Sequence, residues 1–571
     1  MDQIMRVTAE WSGRESRPWL KSYPSDVPKT LEYPPHAMPW LLERAASTWP
    51  DRVACVYYDD KVTYSRALSR ARRIALWLVN QGLQPGERVA VLLPNTPEYL
   101  SILNGIWLAG GVAVALSPLF VAEEASSFLK ATQCRFAFTL DVLSPLVCHG
   151  DHTPEIVVYS SLGSRMSRLE RLGYAWVRLM RLGWKGVSTH GQSVELRQVL
   201  REGRFREDGF DPVPVLPQDR AYILPTGGTT SAPKAVTLTH ANLLANAWQI
   251  CHWAGNRAGD EILLAVLPFF HSYGLSTCLT NGLALGATLV LHHRFRPASV
   301  LRLIEQHQPT LFPAVPAMLA ALNPLLESHS KGPIQSLKAV ISGGAPLSAS
   351  VSERFSDLTG AEVVEGYGLS EASPVTHAGP LDGTSIAGTI GLPFPDTDAR
   401  IVDAATGTEE LPVGEVGELV IRGPQVMEGY WNDPDATSHA IRDGWLFTGD
   451  LGTCDKNGFF RIVDRKKDLI ITSGFNVYPG DVEDVLRKYP GLKEVAVIGV
   501  PDEGKGEVVK AFVVMESGKT FDLHDFQSFS QKHLAAHKRP RLVEEHSDPL
   551  PRNFLGKVLR RELRDQSRSS T

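Results

Sequence analysis

The chain has 571 residues, 43% hydrophobic, 21% charged and 8% aromatic, enough apolar material for more than one core. With 48 glycines and 39 prolines at no fixed period, this balance excludes low-complexity disorder, a collagen-like repeat and a coiled coil. A formal charge of −5 gives no overall basic field for nucleic acid, and six cysteines scattered from Cys55 to Cys454 form neither a C-x-x-C zinc pair nor a dense disulfide framework, so a reducing, cytoplasmic setting is expected.

The first twenty residues are broken by charges and lack the apolar stretch of a secretory signal. From 51 to 116, strand-like and helical patterns alternate: VACVYY, a helix over 65–81, ERVAVLLP, a helix over 98–108, then VAVAL. This rhythm predicts parallel sheets covered by helices. It returns at 221–224, 337–341 and 361–364. Two uncharged runs, 99–122 and 262–291, contain Gly or Pro interruptions, so each reads as a buried helix plus a short strand rather than a membrane span. From about 396 to 461 short strands and turns suggest a β-rich subdomain. The charged stretch Asp464-Arg465-Lys466-Lys467-Asp468 reads either as a hinge or as a solvated turn. Beyond it, a predicted helix over 480–489 and the strands EVAVIGV and VKAFVVM amount to a small domain. The expected division is 1–463, a hinge at 464–468, and a mobile domain over 469–571. The expected fold is α/β, with a large N-terminal domain of parallel sheets packed with helices plus the β-rich subdomain, and a small α+β C-terminal domain.

One segment has a different charge balance. Between 162 and 186 lie Arg165, Arg168, Arg171, Arg178, Arg181 and Lys185 against Glu170 alone, with Leu162, Met166, Leu169, Trp176, Met180 and Trp184 at largely helical spacing. Such a helix suits peripheral contact with an anionic membrane, and equally a surface helix packed on its own domain. Gly163, Gly173 and Gly183 count against a long continuous helix.

The most chemical run is Ile223-Leu-Pro-Thr-Gly-Gly-Thr-Thr-Ser-Ala-Pro-Lys-Ala235, between a strand and a helix expected over 241–248. Its glycines permit close backbone approach to an anion, its threonines offer hydroxyls, and Lys234 adds a mobile positive charge, which reads as a polyphosphate cradle. It is not a Walker A loop, because Pro233-Lys234-Ala235 stands where Gly-Lys-Ser/Thr is required.

Read together with Ile341-Ser-Gly-Gly-Ala-Pro346, Glu365-Gly-Tyr-Gly-Leu-Ser-Glu371, Trp445-Leu-Phe-Thr-Gly-Asp-Leu451, Ile462-Val-Asp-Arg-Lys-Lys467 and Gly556-Lys557, the chain resembles the adenylate-forming superfamily of acyl-CoA synthetases and luciferases. The likeness runs from about 39 to 563 and is greatest to bacterial long-chain fatty acid:CoA ligases. It implies that a fatty acid reacts with ATP to give acyl-AMP and pyrophosphate, and that CoA then displaces AMP. An acyl-AMP ligase for a carrier protein, an aryl or medium-chain acyl-CoA ligase and a non-catalytic acyl- or membrane-binding relative remain alternatives at this stage, with acyl chain length and oligomeric state open.

The resemblance also implies the site. Lys557 would bridge the carboxylate and α-phosphate, and His271 would lie beside the acyl carboxylate. Glu371 with Thr226 would hold Mg²⁺. Thr226, Gly227, Gly228, Thr229, Thr230, Lys234 and Ser370 would bind phosphate; Gly344, Ala345, Glu365, Gly366, Tyr367 and Gly368 would flank adenine. Asp450 and Arg465, with Ile462 nearby, would meet the ribose. The family changes domain orientation between its two steps, with Lys467 as pivot and Gly474-Phe475 arriving at the thiol channel. Ser231 and Ala235 depart from glycines common in the phosphate loop, and Pro-Arg-Asn-Phe-Leu before Gly556 departs from the usual basic and small polar residues.

Overall fold

The structure is a computed structural model and describes residues 17–148, 150–163, 168–182, 187, 191–203, 211–226, 234–255, 258–328, 334–473, 475–502, 505–552 and 556–569. Two large sheets make up the body. The first has nine strands in the order Leu392–Pro393, Val375–Ala378, Glu362–Gly368, Ala339–Ser342, Leu311–Ala314, Ile262–Ala265, Thr288–Leu291, Val53–Tyr57, Asp60–Thr63, parallel from Glu362–Gly368 through Val53–Tyr57. The second has eight, in the order Gly429–Tyr430, Ala235–Thr239, Arg220–Pro225, Val112–Ala115, Arg88–Leu92, Phe136–Leu140, Ile156–Ser160, Gln192–Glu195, parallel from Arg220–Pro225 onward. Central strands such as VAVA at 112–115 are buried at every position, which is why they read as continuous apolar runs rather than alternating ones.

The helix Pro97–Leu108 runs between the two sheets and is buried at every position but Glu98. Trp107 Nε1 donates to the Ala221 carbonyl (2.8 Å), and the Tyr99 hydroxyl meets that of Tyr222 (2.8 Å), tying the helix to the second sheet. Asn95 reaches the first sheet, donating to the carbonyls of Ala265 (3.1 Å) and Leu267 (2.8 Å) and accepting from the Phe269 N–H (2.9 Å). Gly105 is needed where this helix crosses Tyr64–Asn80: a Cβ there would lie 2.7 Å from Ile74 Cγ2.

A third sheet joins Asp398–Val402, Gly417–Arg422, Trp445–Cys454 and Ile441–Arg442, with Phe460–Arg465 also pairing with Trp445–Cys454. After Asp468 the strands Phe475–Val477, Ile470–Thr472, Gly506–Met515, Leu492–Asp502 and Leu542–Glu545 form a sheet of their own, with a separate core around Val482, Val497 and Phe526. The molecule is thus an α/β protein with a large body of parallel-centred sheets, a β-rich subdomain and a small α+β C-terminal domain.

Some local expectations change. The run 262–291 holds two strands around helical turns, not a helix and one strand; Gly286, at φ +61°, ends the helix and sends the chain back into the sheet as Thr288–Leu291. The helix expected over 480–489 is Pro479–Leu486, because Pro490 disfavours helical backbone at the residue before it. In the basic segment, Arg168–Leu182 is one helix that passes through Gly173. Gly183 lies outside the described residues. Among the described residues no helix is long and apolar enough to cross a membrane. All six cysteines are free thiols.

Candidate active site

The strands flanking the Thr/Gly-rich run pair as a hairpin, and the expected helix follows the second of them. Thr226 N–H (2.8 Å) and Oγ1 (3.2 Å) both donate to the Lys234 carbonyl, and β-branched Ala235–Thr239 pairs antiparallel with Arg220–Pro225 before the helix His240–Trp253 begins. Thr239 caps that helix through a capping box with Asn242. Gly227, Gly228, Thr229 and Thr230, between Thr226 and Lys234, lie outside the described residues.

The carboxyl end of Glu362–Gly368 meets the edge of the second sheet here, and ligands of α/β sheets bind outside such strand ends. Glu371 follows that strand, and its Oε1 accepts a 2.9 Å hydrogen bond from the Tyr430 hydroxyl. Tyr430 comes from the edge strand Gly429–Tyr430, which pairs with Ala235–Thr239 (Tyr430↔Val236) and so sets the phenol beside the hairpin. Lys234 Nζ lies 4.7 Å from the Tyr430 ring centroid. Burial pushes the Glu371 carboxyl above its usual range, with the Tyr430 hydrogen bond and Arg465 offsetting part of the shift. A half-buried carboxylate held above its usual range fits a hard divalent cation. No cluster of three metal-ligating side chains occurs among the described residues, so substrate oxygens would have to complete such a site.

Asp450 gathers a second group. It lies in Trp445–Cys454 opposite Arg465 of Phe460–Arg465; its Oδ1 is 3.3 Å from Arg465 Nε and its Oδ2 accepts from the Tyr367 hydroxyl at 2.6 Å. The Tyr367 ring also packs edge-on against His377, 5.9 Å between centroids. Ile462 stands opposite Gly452 in the same ladder. Lys557 is brought in from the far end of the chain. Burial, with Arg465 and Arg560, lowers its ammonium to about 8, while Asp450 and Asp468 act the other way. Gly556 stands against the helix Pro316–Glu327: a Cβ on it would lie 3.2 Å from that of Ala317.

Around these, Ser370 Oγ pairs with Ser272 Oγ (3.0 Å). His271 accepts the Tyr273 N–H at Nδ1 (3.2 Å) as a helix cap, and burial lowers its ring to about 4, so the imidazole is neutral near pH 7. Glu365 Oε2 accepts from the Leu347 N–H (3.3 Å), just past Gly344 (φ +80°) and Ala345, and burial raises its carboxyl to about 7. Gly366 and Gly368 are sterically committed: a Cβ on Gly368 would lie 2.1 Å from the Pro374 carbonyl. Phe475 is not gathered with these residues; its ring stacks on His537 of the small domain at 4.8 Å, and Gly474 lies outside the described residues. Lys467 sits in the turn Lys466–Asp468, its ammonium lowered by burial and by Arg465.

Sequence reasoning missed two partners. Tyr430 carried a signal only in its aromatic ring among turn residues. Arg560, beside Lys557, spans the charged turn: it is 3.6 Å from Asp464, 3.7 Å from Asp468 and 2.7 Å from Glu483.

The model described as AMP-binding enzyme matches residues 42–431, and that described as AMP-binding enzyme C-terminal domain matches 481–557. The long-chain-fatty-acid–CoA ligase of Bacillus subtilis (strain 168) is 38% identical over 561 residues, 97% of this chain and 98% of that one. Among solved structures, ATP-bound MatB from Rhodopseudomonas palustris is similar with a TM-score of 0.76 and 30% identity, covering 94% of this chain and 100% of that one. O-succinylbenzoate coenzyme A synthetase (MenE) from Bacillus subtilis, in complex with ATP and magnesium ion, is similar with a TM-score of 0.73 and 27% identity over 92% of this chain and 98% of that one.

Proposed function

Because this chain belongs to the AMP-binding enzyme family, we propose that it activates a long-chain fatty acid through acyl-AMP to acyl-CoA, releasing pyrophosphate and then AMP. The observation that carries this reading is the contact of Asp450 with Arg465 and Tyr367, with Lys557 from the other end of the chain lying in the field of Asp450 and Arg465: one group for a ribose and one cation for a reacting anion.

In the first step a carboxylate oxygen attacks the α-phosphorus and pyrophosphate departs. Two anions must approach, so positioning and charge neutralisation lower the barrier. The Lys557 ammonium lies against the carboxylate and α-phosphate oxygens, and Lys234, with Thr226 to Thr230 and Ser370, holds the outer phosphates. Asp450 accepts both ribose hydroxyls with Arg465 beside it. Gly344, Ala345 and the strand Glu365 to Gly368 flank the adenine. Mg²⁺ would be held by Glu371 and Thr226 and would supply charge neutralisation at the phosphates. His271, neutral, lies beside the acyl carboxylate as a polar contact, not a positive charge. In the second step the thiol sulfur attacks the acyl carbon and AMP leaves. The reading includes peripheral contact with the inner face of an anionic membrane through 162–186.

The test is pyrophosphate release across acetate, medium- and long-chain fatty acids, benzoates and coumarates, with CoA and a holo-carrier protein as acceptors. Release is expected to be greatest with long chains, and CoA is expected to consume the acyl-adenylate. Preference for an aromatic acid, or consumption by the carrier alone, would overturn the assignment.

Tyr430 is proposed to position Glu371. Tyr430→Phe keeps the ring beside Lys234 and removes the hydrogen bond to the carboxylate. A bond to a charged group contributes about 1.5–3 kcal/mol, so adenylation is expected to fall roughly 10- to 100-fold and to need more Mg²⁺. Unchanged Mg²⁺ dependence would reduce the hydroxyl to a packing role.

A further inference from the structure

We infer that the helix Arg168–Leu182 docks the enzyme on a bilayer, with its outward row Leu172, Trp176 and Met180 entering the headgroup boundary of anionic phospholipid. This deepens the acyl-CoA ligase reading and rests on it, because a water-insoluble substrate partitions into that bilayer.

An amphipathic helix on a globular body ordinarily turns its apolar stripe inward. This one does the reverse. Leu172, Trp176 and Met180 are 69%, 65% and 68% exposed, and Val177 and Leu179 are exposed beside them. The face that meets the body is made by Tyr174, whose ring packs against the main core, and by polar contacts. Tyr174 and Arg178 lie roughly 180° round the helix from the row at about 100° per residue. The Tyr174 hydroxyl donates to Asp141 Oδ1, Arg178 Nε donates to Asp141 Oδ2 at 3.0 Å, and Arg171 Nε donates to the Gly163 carbonyl at 2.9 Å. Asp141 is only 1% exposed, so its charge requires these partners and holds the helix apolar side out. The packed-helix alternative therefore accounts for the inward face and leaves the apolar one uncovered.

Charge selects the occupant. Six basic residues stand against one acidic residue between 162 and 186 in a chain whose formal charge is −5. Arg171 and Arg178 are engaged inward and act as positioning groups. Arg165, Arg168, Arg181 and Lys185 remain as the segment's other bases. A tryptophan in an outward apolar row, within a segment whose sequence is strongly basic, matches the interface of an anionic bilayer rather than a neutral protein surface.

The experiment compares the full chain with the variant Leu172→Ser/Trp176→Ser/Met180→Ser. Co-sedimentation uses phosphatidylcholine vesicles with and without phosphatidylglycerol, pyrophosphate release uses octanoate without vesicles, and the mass in solution is measured by light scattering. The wild type is expected to bind the phosphatidylglycerol vesicles, more weakly at high salt, and the variant at least about tenfold less, with octanoate activity unchanged. Arg168→Gln/Arg181→Gln is expected to weaken binding severalfold with the apolar row intact. Equal binding by wild type and triple variant, no binding by the wild type, or equal binding without phosphatidylglycerol would overturn the proposal. So would a wild-type dimer that the triple variant abolishes, which would make the row an interface between two copies. Absence of pyrophosphate release from the wild type with octanoate and with long-chain acids would instead count against the ligase reading, whatever the sedimentation.

Discussion

Lys557→Ala is expected to lower acyl-adenylate formation by roughly 10²–10³-fold, while CoA attack on supplied acyl-AMP stays within a few-fold of wild type. The proposed role sets the ammonium where two anions must meet, and it stands in the field of Asp450 and Arg465. Once the acyl-adenylate has formed, that task is finished, so the second half-reaction should not register the loss. The pH dependence follows from the same site. Burial and the neighbouring Arg465 and Arg560 lower the Lys557 ammonium to about 8, below the ordinary lysine value. The charged form is the useful one and prevails below that pH, so kcat/KM for adenylation should decline as pH rises through about 8. In kcat the limb should move to higher pH, because bound phosphates favour the proton. Equal loss in both half-reactions, or the same alkaline limb in Lys557→Ala, would remove Lys557 from this role.

The second large effect is expected at the charged turn. The turn Lys466–Asp468 is a 3-10 turn, whose φ range overlaps that of proline at Lys467 while Lys466 before it is disfavoured in helical backbone, so Lys467→Pro is tolerated at modest cost in the arrangement that puts Lys557 in the field of Asp450. On the proposed rotation of the small domain about Lys467, Asp464 parts from Arg560 (3.6 Å) and from the Gly480 N–H (2.7 Å). Proline forced into an incompatible backbone costs about 3 kcal/mol, so thioester formation should fall roughly a hundredfold while adenylation changes only a few-fold. Lys467→Ala, which removes the charge and leaves φ free, should keep both steps near wild type. Half-reactions followed separately by pyrophosphate release and thioester formation decide the matter. Equal slowing of both steps by proline would place the pivot elsewhere.

What could be read in the linear chain was whatever depends on neighbours in sequence. The parallel-sheet rhythm was legible because strands buried on both faces must be apolar throughout, as at 112–115, and the Thr/Gly-rich run, Glu371, Asp450 and Lys557 stood out because their chemistry lies in short contiguous motifs. The relation between distant segments was not legible. Tyr430 meets Glu371 through the pairing of an edge strand with Ala235–Thr239, and Arg560 meets Asp464 across nearly a hundred residues; neither pairing leaves a periodic trace. The basic helix makes the division sharpest. Its spacing determined that a helix would have one apolar face and one polar face, but which face turns inward is a choice between environments. The tertiary structure decided it, because the buried carboxylate of Asp141 requires Tyr174 and Arg178, and meeting that electrostatic demand leaves Leu172, Trp176 and Met180 facing outward.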